Sequence, residues 1–244
     1  MKKPKILLFD IETSPNLAYV WGKYQQDVIS FSKEYELLSV AWKWLGEPKV
    51  HCATREGAKD DRNLCKILHS QLKQADVVIA HNGDAFDIKK SRARFLFHGL
   101  PPVPPIATVD TLKVARKYFK FNSNRLDDLA KYLGIGGKVK HSGFDLWFKC
   151  MNDDPKAWKK MIQYNKKDVL LLEDVYNKMR PYMETHPHLG LLQDFKGSCP
   201  KCAHKDCQKY GYRPNPQGLA QRWMCKGCSS YFLTRVTKDK EKAA

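Results

Sequence analysis

The chain has 244 residues, 43% hydrophobic and 28% charged, with a net charge of +17 at pH 7. That apolar share excludes wholesale disorder, and no run approaches the roughly 18 apolar residues that span a bilayer. A chain this basic points to a polyanionic partner, nucleic acid above all, and away from a membrane.

Met1-Lys-Lys-Pro-Lys5 is basic, but only Ile6 to Phe9 follows before Asp10. That stretch is too short for a secretion signal, so a cytoplasmic location is expected. Pro4 to Glu12 is nearly continuously apolar and reads as a strand buried on both faces. Glu36 to Leu45 and Lys49 to Ala53, split by Gly46-Glu-Pro, read as a hairpin. Asn63 to Gln74 has helical spacing at Leu64, Ile67, Leu68 and Leu72. Ala75 to Ala80 reads as a second buried strand, and Ala85 to His98 as a helix ended by Gly99. Pro101 to Pro105 is a stiff connector before a short strand at Ile106 to Val109. Helices follow at Thr111 to Phe119 and Leu126 to Leu133, the latter with Asn124 as its expected N-cap. Gly134 to Gly143 is a loop holding glycine and lysine. Pro155 to Tyr164 and Lys167 to Met179 read as helices with a break between them. Strands alternating with helices predict an α/β fold with a mixed sheet.

Composition shifts near residue 190. Residues 195–244 carry 11 Lys and Arg against 3 Asp and Glu, and five of the eight cysteines. Three segments are therefore expected: 1–190, 195–236 and a charged tail, 237–244.

Asp10 and Glu12 stand at i and i+2 near the end of the first strand, so period 2 places both on one face. Two carboxylates on so apolar a strand cost free energy unless a cation lies between them, and Mg²⁺ or Mn²⁺ suits oxygen ligands. After the second buried strand come Asn82, Asp84, Phe86 and Asp87, where α/β sheets place their sites. Tyr164 and Asp168 share one helix face at i, i+4. Each piece has an ordinary explanation when taken singly. Asp84 or Asp87 could cap a helix, Tyr164 could be a core aromatic, and Asp168 a solvated charge.

Together, Asp10-Ile-Glu12, Asn82-Gly-Asp-Ala-Phe86-Asp87 and Tyr164-Asn-Lys-Lys-Asp168 resemble the three motifs of the DEDD superfamily of 3′–5′ exonucleases. Gln163 stands where the histidine subclass has His, so the resemblance is to the tyrosine subclass. It covers about residues 4–180 and implies a ribonuclease H-like fold. It further implies hydrolysis at the 3′ end of single-stranded DNA, or of RNA as second choice, with two Mg²⁺ or Mn²⁺ ions. Asp10 would bridge both ions, Glu12 and Asp168 would complete the site that activates water, and Asp87 would support the second ion. Tyr164 would orient that water or help deprotonate it, and Phe86 would pack beneath the site. Thr13 and Asn82 are candidate strand contacts, with Phe86 beside them. Lys138, Lys140, His141, Lys166 and Lys167 are candidates for neutralising phosphates, or simply a solvated basic face. The family points to DNA replication, repair or degradation, with replication or repair proteins as partners, in a bacterium or a phage-infected cell. Two rival readings stay open: a binding module with a vestigial site, and a structure-specific endonuclease or ribonuclease.

Cys199-Pro-Lys-Cys202 and Cys225-Lys-Gly-Cys228 are paired Cys-x2-Cys knuckles that suit one structural Zn²⁺. His204 and Cys207 are spare ligands, with Cys207 expected as a free thiol. Cys-Pro-x-Cys, then Gln221-Arg-Trp-Met-Cys225, then Tyr231-Phe232 after Cys228 resemble the zinc ribbons of transposase-type and transcription-type proteins. Ribbons of this sort bind nucleic acid, dock proteins or only stabilise. Arg213, Arg222, Trp223, Lys226 and Arg235 are the candidate nucleic-acid contacts.

Overall fold

A computed structural model describes residues 4–24, 27–57, 60–139, 142–193, 197–216 and 218–235. The α/β class with a mixed sheet is what it has. Strand β1 (Ile6–Thr13) pairs antiparallel with β4 (Leu37–Trp44) and parallel with β6 (Val77–Ala80). With β5 (His51–Thr54) and β7 (Ala107–Asp110) they form a sheet of order β5–β4–β1–β6–β7.

Alternation along β1 divides the core in two. Leu7, Phe9 and Ile11 pack with Leu64, Leu68 and Leu72 of α1 (Arg62–Gln74) and Phe95 of α2 (Asp87–Phe97). Ile6 and Leu8 join the opposite layer. There they meet α3 (Thr111–Tyr118), α4 (Leu126–Tyr132) and α6 (Pro155–Met179). Asp10 and Glu12 share parity with Leu8, so they face the α6 layer.

Three expectations are corrected. Helix α6 runs unbroken for 25 residues. The polar run Gln163 to Lys167 continues the helix because Asn165, buried within it, finds partners on β4 and β1. Asn124 does not cap α4: Arg125 takes the N-cap place with no side-chain bond, and Asp127 and Asp128 occupy the first turn instead. Phe86 does not pack beneath the site but is 38% exposed, because it immediately precedes α2 and swings outward as Asp87 turns in. Helix α5 (Phe144–Met151) and the small sheet of β2 (Leu17–Tyr19) with β3 (Ser30–Lys33) were not expected.

The C-terminal sheet is antiparallel, in the order β10 (Tyr231–Arg235), β9 (Gly218–Cys225), β8 (Cys207–Asn215). It is docked on the main body. Lys201 Nζ donates to the Pro181 carbonyl at 2.9 Å, the Leu189 amide donates to the Pro200 carbonyl at 2.8 Å, and Ala203 packs on the α6-side core. Among the described residues no helix is long and apolar enough to cross a membrane.

Candidate active site

Strand β1 delivers Asp10 and Glu12 to the sheet face covered by α6, and a register shift between Glu12 and Thr13 ends the regular ladder there. From α6, Asp168 approaches the same spot, one turn beyond Tyr164. One carboxylate oxygen from each of Asp10, Glu12 and Asp168 lies within 4.8 Å of the others. The Tyr164 hydroxyl hydrogen-bonds Asp168. Asp87, at the first position of α2, accepts the Ile11 amide at 3.1 Å and lies near enough to act on Asp10 as the largest single neighbouring charge. The residues of the three motifs, 158 positions apart at the extremes, are thus brought together.

The turn between β6 and α2 is tightly built. Asn82 adopts φ 64°, and its amide donates to Asp110 Oδ1 at 2.9 Å. That same carboxylate caps α3 through the Leu112 and Lys113 amides. A Cβ on Gly83 would stand 2.3 Å from the Ala80 Cβ, so only glycine fits there. Asp84 stays outside the cluster and pairs with Lys113 at 2.6 Å.

Several residues reach the site unannounced by the sequence. Asn165, fully buried, donates to Asp10 Oδ2 at 2.6 Å and accepts from Ser39 Oγ at 2.9 Å. Trp147 of α5 hydrogen-bonds Glu12 and meets the Tyr164 ring edge-on at 5.9 Å. Lys138 forms an ion pair with Asp168 and donates to the Tyr164 hydroxyl at 3.1 Å. It was expected on phosphates, yet here its ammonium lies against the carboxylates.

Electrostatics reflect this crowding. Burial, then Asp87, Glu12 and Asp168, raise Asp10 well above the usual carboxylate range. Burial, then Asp168, push Glu12 up to about 8. Burial pushes Asp87 to about 7, against the Ile11 amide. Burial raises Asp168 even though Lys138 opposes it. Burial, then Asp168, also raise Tyr164, so its phenol stays protonated. Among the described residues one ammonium, that of Lys138, faces Asp10, Glu12 and Asp168, and Asp168 Oδ1 is buried with no hydrogen-bond partner. An all-oxygen donor set with surplus negative charge and an orphaned acceptor fits a hard divalent cation.

Beside Asp10 opens a groove of about 660 Å³, walled by Asn82, Arg116, Asn124, Arg125 and Lys138. Thr13 is half-buried at the end of β1, and Phe86 is exposed with Lys90 5.8 Å from its ring centroid. Lys166 and Lys167 are half-buried on α6, Lys166 close enough to Cys52 to act on its thiol. Lys140 and His141 lie outside the described residues.

At the far end of the chain, Cys199, Cys202, Cys225 and Cys228 offer sulfurs within 4.8 Å of one another. Cys199 and Cys228 are 3.7 Å apart, and Cys202 and Cys225 are 3.6 Å apart. Two thiolates about 2.3 Å from a tetrahedral zinc would be about 3.8 Å apart, close to both of these separations, so the set fits that ion. His204 packs on Gly227, where a Cβ would come within 2.6 Å of its ring. Cys207 bonds the His204 carbonyl, and neither joins the four-sulfur group. Arg222 donates to the Tyr212 carbonyl at 3.4 Å, and Trp223 bonds Thr234 and stacks on Phe232.

The family model described as RNase_H superfamily matches residues 7–180. Over 86 residues, 34% of this chain and 5% of the relative, the sequence is 34% identical to a DNA polymerase of Thermococcus litoralis. The family B DNA polymerase from the hyperthermophilic archaeon Pyrobaculum calidifontis superposes with a TM-score of 0.55 at 20% identity, over 73% of this chain and 25% of that one. The chain therefore spans a small part of either polymerase, and the second likeness is one of fold.

Proposed function

Because the chain belongs to the RNase_H superfamily, we propose that residues 1–190 form a metal-dependent 3′–5′ exonuclease acting on single-stranded DNA, with RNA as second choice. The observation that carries this reading is the meeting of Asp10, Glu12 and Asp168 within 4.8 Å, with Asp87 alongside and Tyr164 bonded to Asp168. The 34% identity to a DNA polymerase over 86 residues supports DNA as the substrate.

Asp10, Glu12, Asp87 and Asp168 would hold two divalent cations, Mg²⁺ or Mn²⁺, which acidify the attacking water and stabilise the leaving 3′ oxygen. The protein's own groups do the rest. Neutral Tyr164 holds the water by its hydroxyl rather than taking its proton. Lys138 meets the negative charge that builds on the phosphate as water attacks, the bond to the 3′ oxygen breaks and a nucleoside 5′-monophosphate departs. Asn165 fixes the Asp10 carboxylate. Arg116, Arg125 and Asn82 steady the strand in the adjoining groove, and exposed Phe86 offers it a stacking face.

The carboxyl-terminal segment, 195–236, is proposed as a zinc ribbon with one ion on Cys199, Cys202, Cys225 and Cys228. Elemental analysis giving about one zinc per chain supports it, and none would overturn it. The nuclease is tested with 3′-labelled and 5′-labelled single strands in Mg²⁺ or Mn²⁺. Stepwise shortening from the 3′ end is expected and should vanish in Asp10→Asn. Internal cuts would make the protein an endonuclease, and binding without cleavage would make it a module.

A further inference from the structure

Strand register divides the basic residues of the C-terminal sheet between its two faces. Arg213 on β8 pairs with Ala220 on β9, and Ala220 pairs with Arg235 on β10. Arg222 lies two residues beyond Ala220 and pairs with Leu233. Cross-strand partners, and residues two apart on one strand, share a face. Arg213, Arg222 and Arg235 therefore lie together, with Tyr231 and Leu233. Trp223 and its partner Phe232 project from the other side.

The arginine face looks onto a cleft of about 750 Å³. Arg213, Arg222 and Tyr231 form one wall, and Tyr182 and His186, from the segment after α6, form the other. Among the described residues no ion pair ties any of the three arginines to a carboxylate. Among the described residues Glu184 is the one carboxylate on the cleft's lining. Like charges on neighbouring strands repel, so this arrangement favours an anionic ligand. The aromatic groups add a second preference. Tyr182 is 65% exposed and Tyr231 47% exposed, with Tyr210 edge-on to Tyr231 at 5.1 Å. Guanidinium groups interleaved with open aromatic faces match a single strand, whose phosphates seek cations and whose bases seek rings. Duplex would hide its bases from the tyrosines.

We infer that this cleft is a second single-stranded nucleic-acid site, apart from the carboxylate cluster. Arg213 and Arg222 hold backbone phosphates, Arg235 extends the track, and Tyr182 and Tyr231 stack bases. The site binds whether or not the carboxylates cut.

The test uses the full chain carrying Asp10→Asn and a fluorescein-labelled dT 20-mer, read by anisotropy between 50 and 300 mM KCl. Replacing Arg213, Arg222 and Arg235 together with Gln is expected to weaken binding at least tenfold. Losing three phosphate contacts should also make the log–log salt slope shallower by about two. The same three positions changed to Lys should keep the slope. Tyr182→Ala, which lies outside the ribbon sheet, should cost roughly tenfold through lost stacking. Zinc content identifies any variant whose ribbon has failed to fold, and Tyr182→Ala then decides the matter. Parental affinity in the Gln variant and in Tyr182→Ala would overturn the proposal and leave a protein as the occupant of the cleft. The readout needs no cleavage, so a protein that cuts yet ignores these substitutions loses the cleft and keeps the nuclease.

Discussion

Asn165 holds Asp10: its side-chain amide donates to Asp10 Oδ2 at 2.6 Å, and its own oxygen accepts from Ser39 Oγ at 2.9 Å. The relay joins β4, α6 and β1 and fixes the carboxylate of Asp10 that meets Glu12 and Asp168. Asn165→Leu keeps the volume and removes both bonds. Losing a partner that orients a metal ligand typically costs 10–100-fold in metal affinity. Mn²⁺ titration by calorimetry should show a loss of that size, with Ser39→Ala milder. Parental affinity in Asn165→Leu would remove Asn165 from the site.

Lys138 is an ammonium set against Asp10, Glu12 and Asp168. Removing one partner of a buried pair costs several kcal/mol, but this lysine side chain is 29% exposed, so solvent screens part of the effect. Lys138→Met is expected to lower stability in metal-free urea unfolding at pH 8 by about 1–3 kcal/mol. Added Mn²⁺ should restore more stability to the variant than it adds to the parent. A variant as stable as the parent without metal would show that the lysine does not offset the carboxylates.

Gly83 sits where the chain turns from β6 toward α2, with no room for a side chain beside Ala80. Gly83→Ala forces the buried Ala80 or the turn to move, and overpacking of this kind costs about 1–3 kcal/mol. Urea unfolding measures it. The same shift would carry Asp87 away from Ile11, so metal affinity should fall in parallel. A substitution without effect on either would show that the turn yields freely.

His186 is buried. Its Nδ1 donates to the Pro187 carbonyl at 2.7 Å, which leaves Nε2 to accept from the Tyr176 hydroxyl at 2.9 Å. Burial pulls the imidazole down to about 4 from an ordinary value of 6.5. The unfolded chain therefore binds the proton first as pH falls. This contribution is fully present above pH 6.5 and is lost between about 6.5 and about 4, to a total of about 3 kcal/mol. Unfolding free energies at pH 7, 5.5 and 4.5 should decline less in His186→Gln than in the parent. Equal slopes would mean that His186 does not titrate on unfolding.

Much of the site was legible in the sequence because its geometry is local. The two-residue period of β1 set Asp10 and Glu12 on one face, and the pitch of a helix set Tyr164 above Asp168. Two Cys-x2-Cys knuckles announced a four-sulfur cluster in the same way. Those rules depend on backbone dimensions alone, which any stretch of chain carries with it.

The rest depended on what each element packs against. Read by itself, Gln163 to Lys167 is polar enough to end a helix, and only Ser39 and Asp10, more than 120 positions earlier, make Asn165 a buried and satisfied residue inside one. Lys138 looked like a phosphate contact until folding brought its loop against Asp168. Trp147 lies in a helix with no clear signal and meets Glu12 only across the tertiary fold. Charge and composition marked the tail as basic, but strand register chose which arginines share a face. Burial and long-range pairing are properties of the whole folded chain, because a side chain's partners are set by the elements packed around it and not by its neighbours in sequence.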